Sequence, residues 1–514
     1  MLTFITLCLL TSQSSAATIT ADEIMHQVRK ATGFSVNKLP ATGLQLLGKG
    51  TYAGMPAKHE VLFNRDGHFM QSVTSKINTG MGYDGSQAWV RDLAGEQRIQ
   101  ELTDRRNTLF NGLLMTNLWI DAVSGMQYTL PADSLKEGVY SLSFIHQPTE
   151  MKGTVRIDAK TWLPVDCTVT VEGRKMTTKW SGSVEFQGMK FPQQIQAFSS
   201  NEGVEALTIE TIQAAPTFVR NPYAALDVVP SDTVFDNTVP AELEVKRAKT
   251  GHLLVKPKVN GKHVGWFIFD SGAGANVLAN SVIKELQLEQ FGELPAVGIG
   301  GTVKTHFSRP DSLTIGRATL KQPLVIGLDM AFLDIPMGEY ISGIVGYGTF
   351  HRCVVEMDMD KNIIALFDPK DYDQSRVNNR WQKLYQTARV SCVEAEFEGH
   401  KGIFKLDTGA AGSTVALHAP IVEKLKLLEN RETSDSYAGG VGGMVKAKKG
   451  KLKYFQIADE KFENVEVTFA TASKGAFNSA DTMGNIGGEL VKPFKLVFDY
   501  QNKRIAFVRR AGSE

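Results

Sequence analysis

Cysteine is scarce in this chain, with four in 514 residues, at positions 8, 167, 353 and 392. Cys8 lies inside an N-terminal apolar run, so an odd three remain and disulfides do not build the fold. Cys353 and Cys392 either pair or, like Cys167, stay as buried thiols. An excess of one charge is also missing. The 56 basic and 55 acidic residues leave a net charge of +1, which offers no basic face for nucleic acid or an anionic membrane surface. The ten histidines are scattered without the short or i,i+4 spacings that hold zinc, so neither a metal nor another cofactor is expected. Long apolar runs are absent beyond Leu2 to Leu10, and that run falls short of the ~20 residues of a membrane span. Followed by Ser14, Ala16 and Ala17, it reads as a secretory signal over residues 1–17, although no Lys or Arg precedes it. The alternative is a short buried N-terminal element. An exported protein, periplasmic or secreted, with no transmembrane segment after signal removal, is the expectation.

What is present is length and periodicity. A chain of 514 residues exceeds one core at ~100–200 residues per domain, and three units follow. Over residues 18–215, short runs such as Tyr140-Ser141-Leu142-Ser143-Phe144 alternate apolar and polar positions, the mark of half-buried antiparallel strands. Helical spacing begins at Ala21 and returns from Arg105 to Ile120, so this unit is expected to be an α+β domain with one curved sheet. Trp89, Trp119, Trp162 and Trp180 are read chiefly as core residues, with the lining of an apolar-ligand cavity as the other reading. Residues 216–244, with Pro216, Pro222, Pro230 and Pro240, read as a linker.

From residue 245 the chain repeats itself. Gly265-Trp266-Phe267-Ile268-Phe269-Asp270-Ser271-Gly272-Ala273 matches Gly402-Ile403-Phe404-Lys405-Leu406-Asp407-Thr408-Gly409-Ala410, and a helical phrase follows each. Each copy then shows a Gly-rich phrase, Gly298-Ile299-Gly300-Gly301 and Gly439-Gly440-Val441-Gly442-Gly443. Next come the apolar-Gly phrases Ile344-Val345-Gly346 and Asn485-Ile486-Gly487, and a strand, turn and strand close each copy. The two units span 245–370 and 385–510. Asp358, Asp360 and Asn362 briefly imitate a calcium loop, but Ile363 stands where glycine is needed, so a hairpin turn is expected there. The Gly-rich phrases do not open helices and so do not suit phosphate binding.

Each copy supplies one Asp at the end of an apolar strand. Two such carboxylates brought together can share one proton, one acting as base on water and the other as acid on the departing nitrogen. Ser271 and Thr408 carry hydroxyls for a hydrogen-bonded base beneath the pair, and Gly272 and Gly409 let backbone amides approach the carboxylates. Ala273 and Ala410 bring no further hydroxyl, which predicts a less acidic rate optimum than a Ser or Thr there would give. Lys405, two residues before Asp407, either lowers that carboxyl as a nearby ammonium or, by the favoured reading, reaches solvent at a sheet edge.

This pattern resembles the retropepsin-type aspartic peptidases, in which each half contributes one Asp and one flap. The resemblance covers residues 245 to 510 and implies a mainly β fold. In that fold two tandem retropepsin-like all-β barrels form a pseudo-dimer, preceded by the α+β curved-sheet domain. It implies Asp270 and Asp407 as the catalytic pair and flaps at Gly298 to Gly301 and Gly439 to Gly443. Gly274 and Ala411 depart from the viral members, which carry a second Asp there, and Asn485 departs in replacing an apolar residue. The N-terminal unit resembles the periplasmic lipoprotein-carrier fold in its element order and in Tyr83-Asp84-Gly85-Ser86-Gln87-Ala88-Trp89, which makes an apolar ligand a candidate partner. A peptide or protein substrate, cleaved by an aspartic endopeptidase, is the leading expectation. The rival is a non-catalytic envelope protein that captures peptides or ligands on the same scaffold.

Overall fold

The computed structural model describes residues 19–509 apart from 93, 94, 96, 172, 173, 200, 201, 226–231, 378, 379 and 472–474. The signal reading at 1–17 and Pro230 therefore lie outside the described residues.

The N-terminal unit is one 14-stranded antiparallel sheet. Its last strand, Glu202–Ala214, returns to pair with the first, Leu44–Tyr52, and with Gln194–Ser199. The helix Ala21–Thr32 starts on a capping box in which Thr20 and Glu23 each satisfy the other's backbone amide. It buries Ile24, Met25 and Val28 against the sheet, while the helix Leu102–Met115 buries Phe110 and Leu114. The concave face is filled by side chains. Trp119 stacks on Trp180 at 5.4 Å between ring centroids, and both are buried, as is Trp89. A cavity of about 30 Å³ lies beside Trp180 and Phe191.

Each repeat is built on an eight-stranded sheet. In the first, Trp266–Phe269 runs parallel to Ile341–Val345, which is antiparallel to Val277–Ala279. In the second, His400–Asp407 runs parallel to Gly484–Gly487, which is antiparallel to Val415–Leu417. Phe267, Ile268 and Phe269 are all buried, as expected of a strand covered on both faces. The closing hairpins join the halves. Val354–Asp358 pairs with Phe494–Asp499 in a five-stranded sheet drawn from both repeats, and one core runs through the two units. Asp358 accepts the amides of Asp360 and Lys361 at the turn of its hairpin, in keeping with the turn reading. The three cysteines at 167, 353 and 392 are buried, and no disulfide joins them.

Three expectations need correction. The segment read as a linker is structured at its C-terminal end: Thr233–Phe235 pairs with Ala318–Lys321, and Leu243 N–H donates to Ile364 O at 2.8 Å. Its prolines mark docking, and the strand is the edge of a separate five-stranded sheet of the first repeat. Trp381–Lys383, just before the second unit's expected start, adds an edge strand to the shared sheet beside Arg504–Arg509. Lys405 does not stand at a sheet edge, because its strand has partners on both sides, with Cys392 and Asn485 opposite it.

Candidate active site

Two tight turns follow the paired strands and bring Asp270 and Asp407 together between the repeats. The carboxyls are close enough to share a hydrogen bond. Gly272 N–H donates to Asp270 Oδ1 at 2.7 Å, and Gly409 N–H reaches across from the other repeat to the same oxygen at 3.0 Å. These glycines are required by space. A Cβ on Gly272 would lie 2.4 Å from Asp407 Oδ1, and one on Gly409 would lie 2.4 Å from Asp270 Oδ2.

Beneath the carboxyls the hydroxyl residues cross over. Ser271 N–H donates to Thr408 Oγ1 at 2.9 Å, and Thr408 N–H donates to Ser271 Oγ at 3.2 Å. The Ser271 hydroxyl then donates to Leu406 O at 2.7 Å, and that of Thr408 points to Phe269 O at 3.5 Å. Both side chains are buried, so each repeat satisfies polar groups that the other would otherwise leave unpaired. Gly274 has no room for the larger residue of viral members, since a Cβ there would lie 2.9 Å from Ala388 O, and Ala411 is buried.

Burial, and then the charge of Asp407, holds the Asp270 carboxyl well above the usual range. Burial also raises Asp407, opposed by a hydrogen bond from Asn485. Neighbouring carboxyls in a poorly hydrated place do not ionise together, and the pair retains a proton where isolated aspartates have lost theirs.

The Gly-rich phrases are the tips of two hairpins, Gln290–Gly298 with Gly301–Ser308 and Thr433–Gly440 with Gly443–Ile457. The tips meet: Gly300 N–H donates to Val441 O at 3.0 Å. Ile299 packs against Ala416, Val445, Ala470 and Phe477 of the second repeat, while Val441 packs into a cluster with Met330 and Met337 of the first. A Cβ on Gly300 would lie 2.1 Å from the Gly442 backbone, so the crossing needs glycine.

His252 and His418 escaped the sequence reading, and Asn485 entered it only as a departure from the pattern. Asn485 Nδ2 donates to Asp407 Oδ2 at 3.1 Å, and its Oδ1 lies 2.9 Å from His418 Nε2. His252 Nε2 donates to Gly409 O at 2.6 Å from the other repeat. The signal for Asn485 was its departure from Ile344 in the first copy. That for His418 was its place at the helix start, where the first copy has Ala279. His252 carried no signal in the chain. Among the described residues no group of His, Cys, Asp or Glu side chains is placed to hold a metal ion.

An aspartyl protease family model matches the chain twice, at residues 255–349 and 393–490. The C-terminal region thus holds two tandem aspartyl protease domains. No curated protein sequence matches the chain. Among solved structures, a LolA superfamily protein from Nitrosomonas europaea is similar over 39% of this chain and 96% of its own, at 13% identity and a TM-score of 0.28. A retropepsin-like aspartic protease from Rickettsia conorii is similar over 24% of this chain and 86% of its own, at 20% identity and a TM-score of 0.19.

Proposed function

We propose that the protein is an aspartic endopeptidase that hydrolyses peptide bonds with water activated between Asp270 and Asp407. The observation that carries this reading is the meeting of the two carboxyls, one from each repeat, in a pair of repeats whose flap tips cross. A scaffold that only bound peptides has no use for a pair whose burial is costly and whose shared proton is retained.

The chemistry balances within the pair. The charged carboxylate takes a proton from water as the water oxygen bonds to the scissile carbonyl carbon, and the neutral carboxyl gives its proton to the carbonyl oxygen. The first carboxyl then passes its proton to the amide nitrogen as the C–N bond breaks. The second recovers a proton from the tetrahedral hydroxyl as the new acid forms. Substrate lies extended beneath the flaps, pairing its backbone with theirs, so specificity comes from pockets on alternating sides. The apolar run Leu2 to Leu10 with the small residues after it supports an exported site of action. No described helix is long and apolar enough to cross a membrane.

The test is cleavage of a diverse peptide mixture across pH by the wild type and by Asp270→Asn and Asp407→Asn. Cleavage by the wild type and loss of at least about a thousandfold in each variant is the expected result, since neither carboxyl works alone. Equal behaviour of all three proteins returns the chain to the rival reading, a non-catalytic binder.

A further inference from the structure

We propose that Asn485, held in place by His418, makes the carboxyl pair asymmetric. Its amide donor on Asp407 assigns the negative charge, and with it the role of base toward water, to Asp407, and leaves the proton and the role of acid to Asp270. The proposal rests on the hydrolytic reading above and deepens it.

The two repeats differ behind their carboxyls. Val277–Ala279 and Val415–Leu417 are equivalent strands, each leading into a short helix whose first residue is preceded by Ala279 in one copy and His418 in the other. Opposite them, Ile344 in one copy corresponds to Asn485 in the other. Asp407 therefore has a polar pair behind it, and Asp270 has Ala279 and Ile344, which offer no donor.

The hydrogen bonds of that polar pair have a direction. His418 is fully buried, and burial together with the ammonium of Lys405 keeps its imidazole neutral at working pH. Its Nδ1 lies 3.2 Å from Thr482 Oγ1 and 3.0 Å from Thr482 O, and its Nε2 lies 2.9 Å from Asn485 Oδ1; we take the Nε2–H tautomer, in which the Thr482 hydroxyl donates to Nδ1 and Nε2–H donates to Asn485 Oδ1. With its oxygen so occupied, Asn485 turns its Nδ2–H toward Asp407 Oδ2. An amide donor favours the ionised carboxylate over the neutral acid. The backbone amides of Gly272 and Gly409 both converge on Oδ1 of Asp270. These amides also favour the ionised form of Asp270, but burial and the charge of Asp407 raise it by more, and with both amides on Oδ1 the proton sits on Oδ2. The other titratable groups near the pair are His252, whose ring lies toward Asp407, and Tyr500, which lies toward Asp270.

Asn485 is thus a positioning residue with a distinctive pH signature. If Asp407 carries the charge in the singly protonated pair, Asn485 stabilises that form and the doubly charged form alike, but not the doubly protonated one. Replacing it by Leu, which is apolar like Ile344, moves the acidic limb of kcat/KM upward by roughly 1 to 2 pH units, the worth of one hydrogen bond to a charged group, and leaves the alkaline limb where it was. His418→Ala gives a smaller shift of the same limb in the same direction, because Asn485 loses its support. An upward shift of the alkaline limb alone would give the charge to Asp270, and a uniform loss without movement of either limb would reduce Asn485 to packing. Either result overturns the proposal. A second measurement needs neither a variant at 485 nor any cleavage. The carboxyl ¹³C resonances of aspartate-labelled wild type, assigned with Asp270→Asn and Asp407→Asn, should show Asp407 ionising first while Asp270 stays protonated to higher pH. The reverse order defeats the assignment even if the protein cuts peptides, and the expected order sustains it even if no substrate has been found.

Discussion

A carboxyl that must stay protonated in the folded protein costs stability as the solution becomes more alkaline. Asp270 is such a group, raised by burial and by the charge of Asp407. Its folded pKa lies above the unfolded value of about 4, so between the two the folded state binds more protons than the unfolded one. Stability falls as pH rises through that window. Asp270→Asn removes the liability and should be more stable than wild type by at least about 1 kcal/mol near pH 7, with little difference below about pH 4. Thermal unfolding of both proteins at the two pH values checks this, and a gap that shrinks with rising pH would contradict the raised carboxyl. The residue scale is also where the chain was most and least readable. Asp270 and Asp407 announced themselves because each ends an apolar strand and recurs in a duplicated phrase. His252 could not, since its contact with Gly409 O crosses between repeats and leaves no periodic trace.

At the scale of elements, the flaps couple the halves. Ile299 leaves its own hairpin to pack on Ala416, Val445 and Phe477, and Val441 does the converse, so closure is paid for by apolar surface from both repeats. Burying an isoleucine side chain contributes roughly 1.5–3 kcal/mol. Ile299→Ser should therefore lower kcat/KM about tenfold or more with a smaller fall in melting temperature, because the half-buried tip can lift away without either barrel unfolding. Steady-state kinetics beside a thermal melt separates the two effects, and a large melting shift with unchanged kinetics would make the tip structural. Glycine-rich phrases in matching places were enough to locate these hairpins. The strand Thr233–Phe235 was not legible, because three residues among prolines carry no countable alternation, and its partner Ala318–Lys321 lies far along the chain. The same holds for Lys405. Its strand acquires a second neighbour only when Gly484–Gly487 folds back beside it, and local pattern does not report that.

Across the whole molecule, the N-terminal unit abuts the site. Ala53, Met55 and Ile77 pack under the first flap against Phe307, Phe291 and Leu294, and Glu293 N–H donates to Ala53 O at 2.8 Å. More directly, Asp104 of the helix Leu102–Met115 accepts the Ala388 amide at 3.1 and 3.2 Å. Ala388 and Arg389 form a two-residue hairpin turn with positive φ of 49° and 65°, and the Ala388 carbonyl rests on Gly274 in the loop that carries Asp270. One carboxylate in the first unit therefore steadies a strained turn in the third, which in turn presses on the dyad loop of the second. Arg98, largely buried, also leans on Asp104, at 3.5 Å. Asp104→Ala removes a charged acceptor from a buried amide and an anion from a buried guanidinium, which should cost about 2–4 kcal/mol. By contrast, Lys49→Ala breaks an exposed pair with Glu210 and should cost about 0–1 kcal/mol. If the N-terminal unit is a buttress, Asp104→Ala lowers both the melting temperature and kcat/KM, and unfolding remains one transition. If it is only a tethered neighbour, the variant melts in two steps while peptide cleavage is untouched, because nothing then passes from the helix through Ala388 to Gly274.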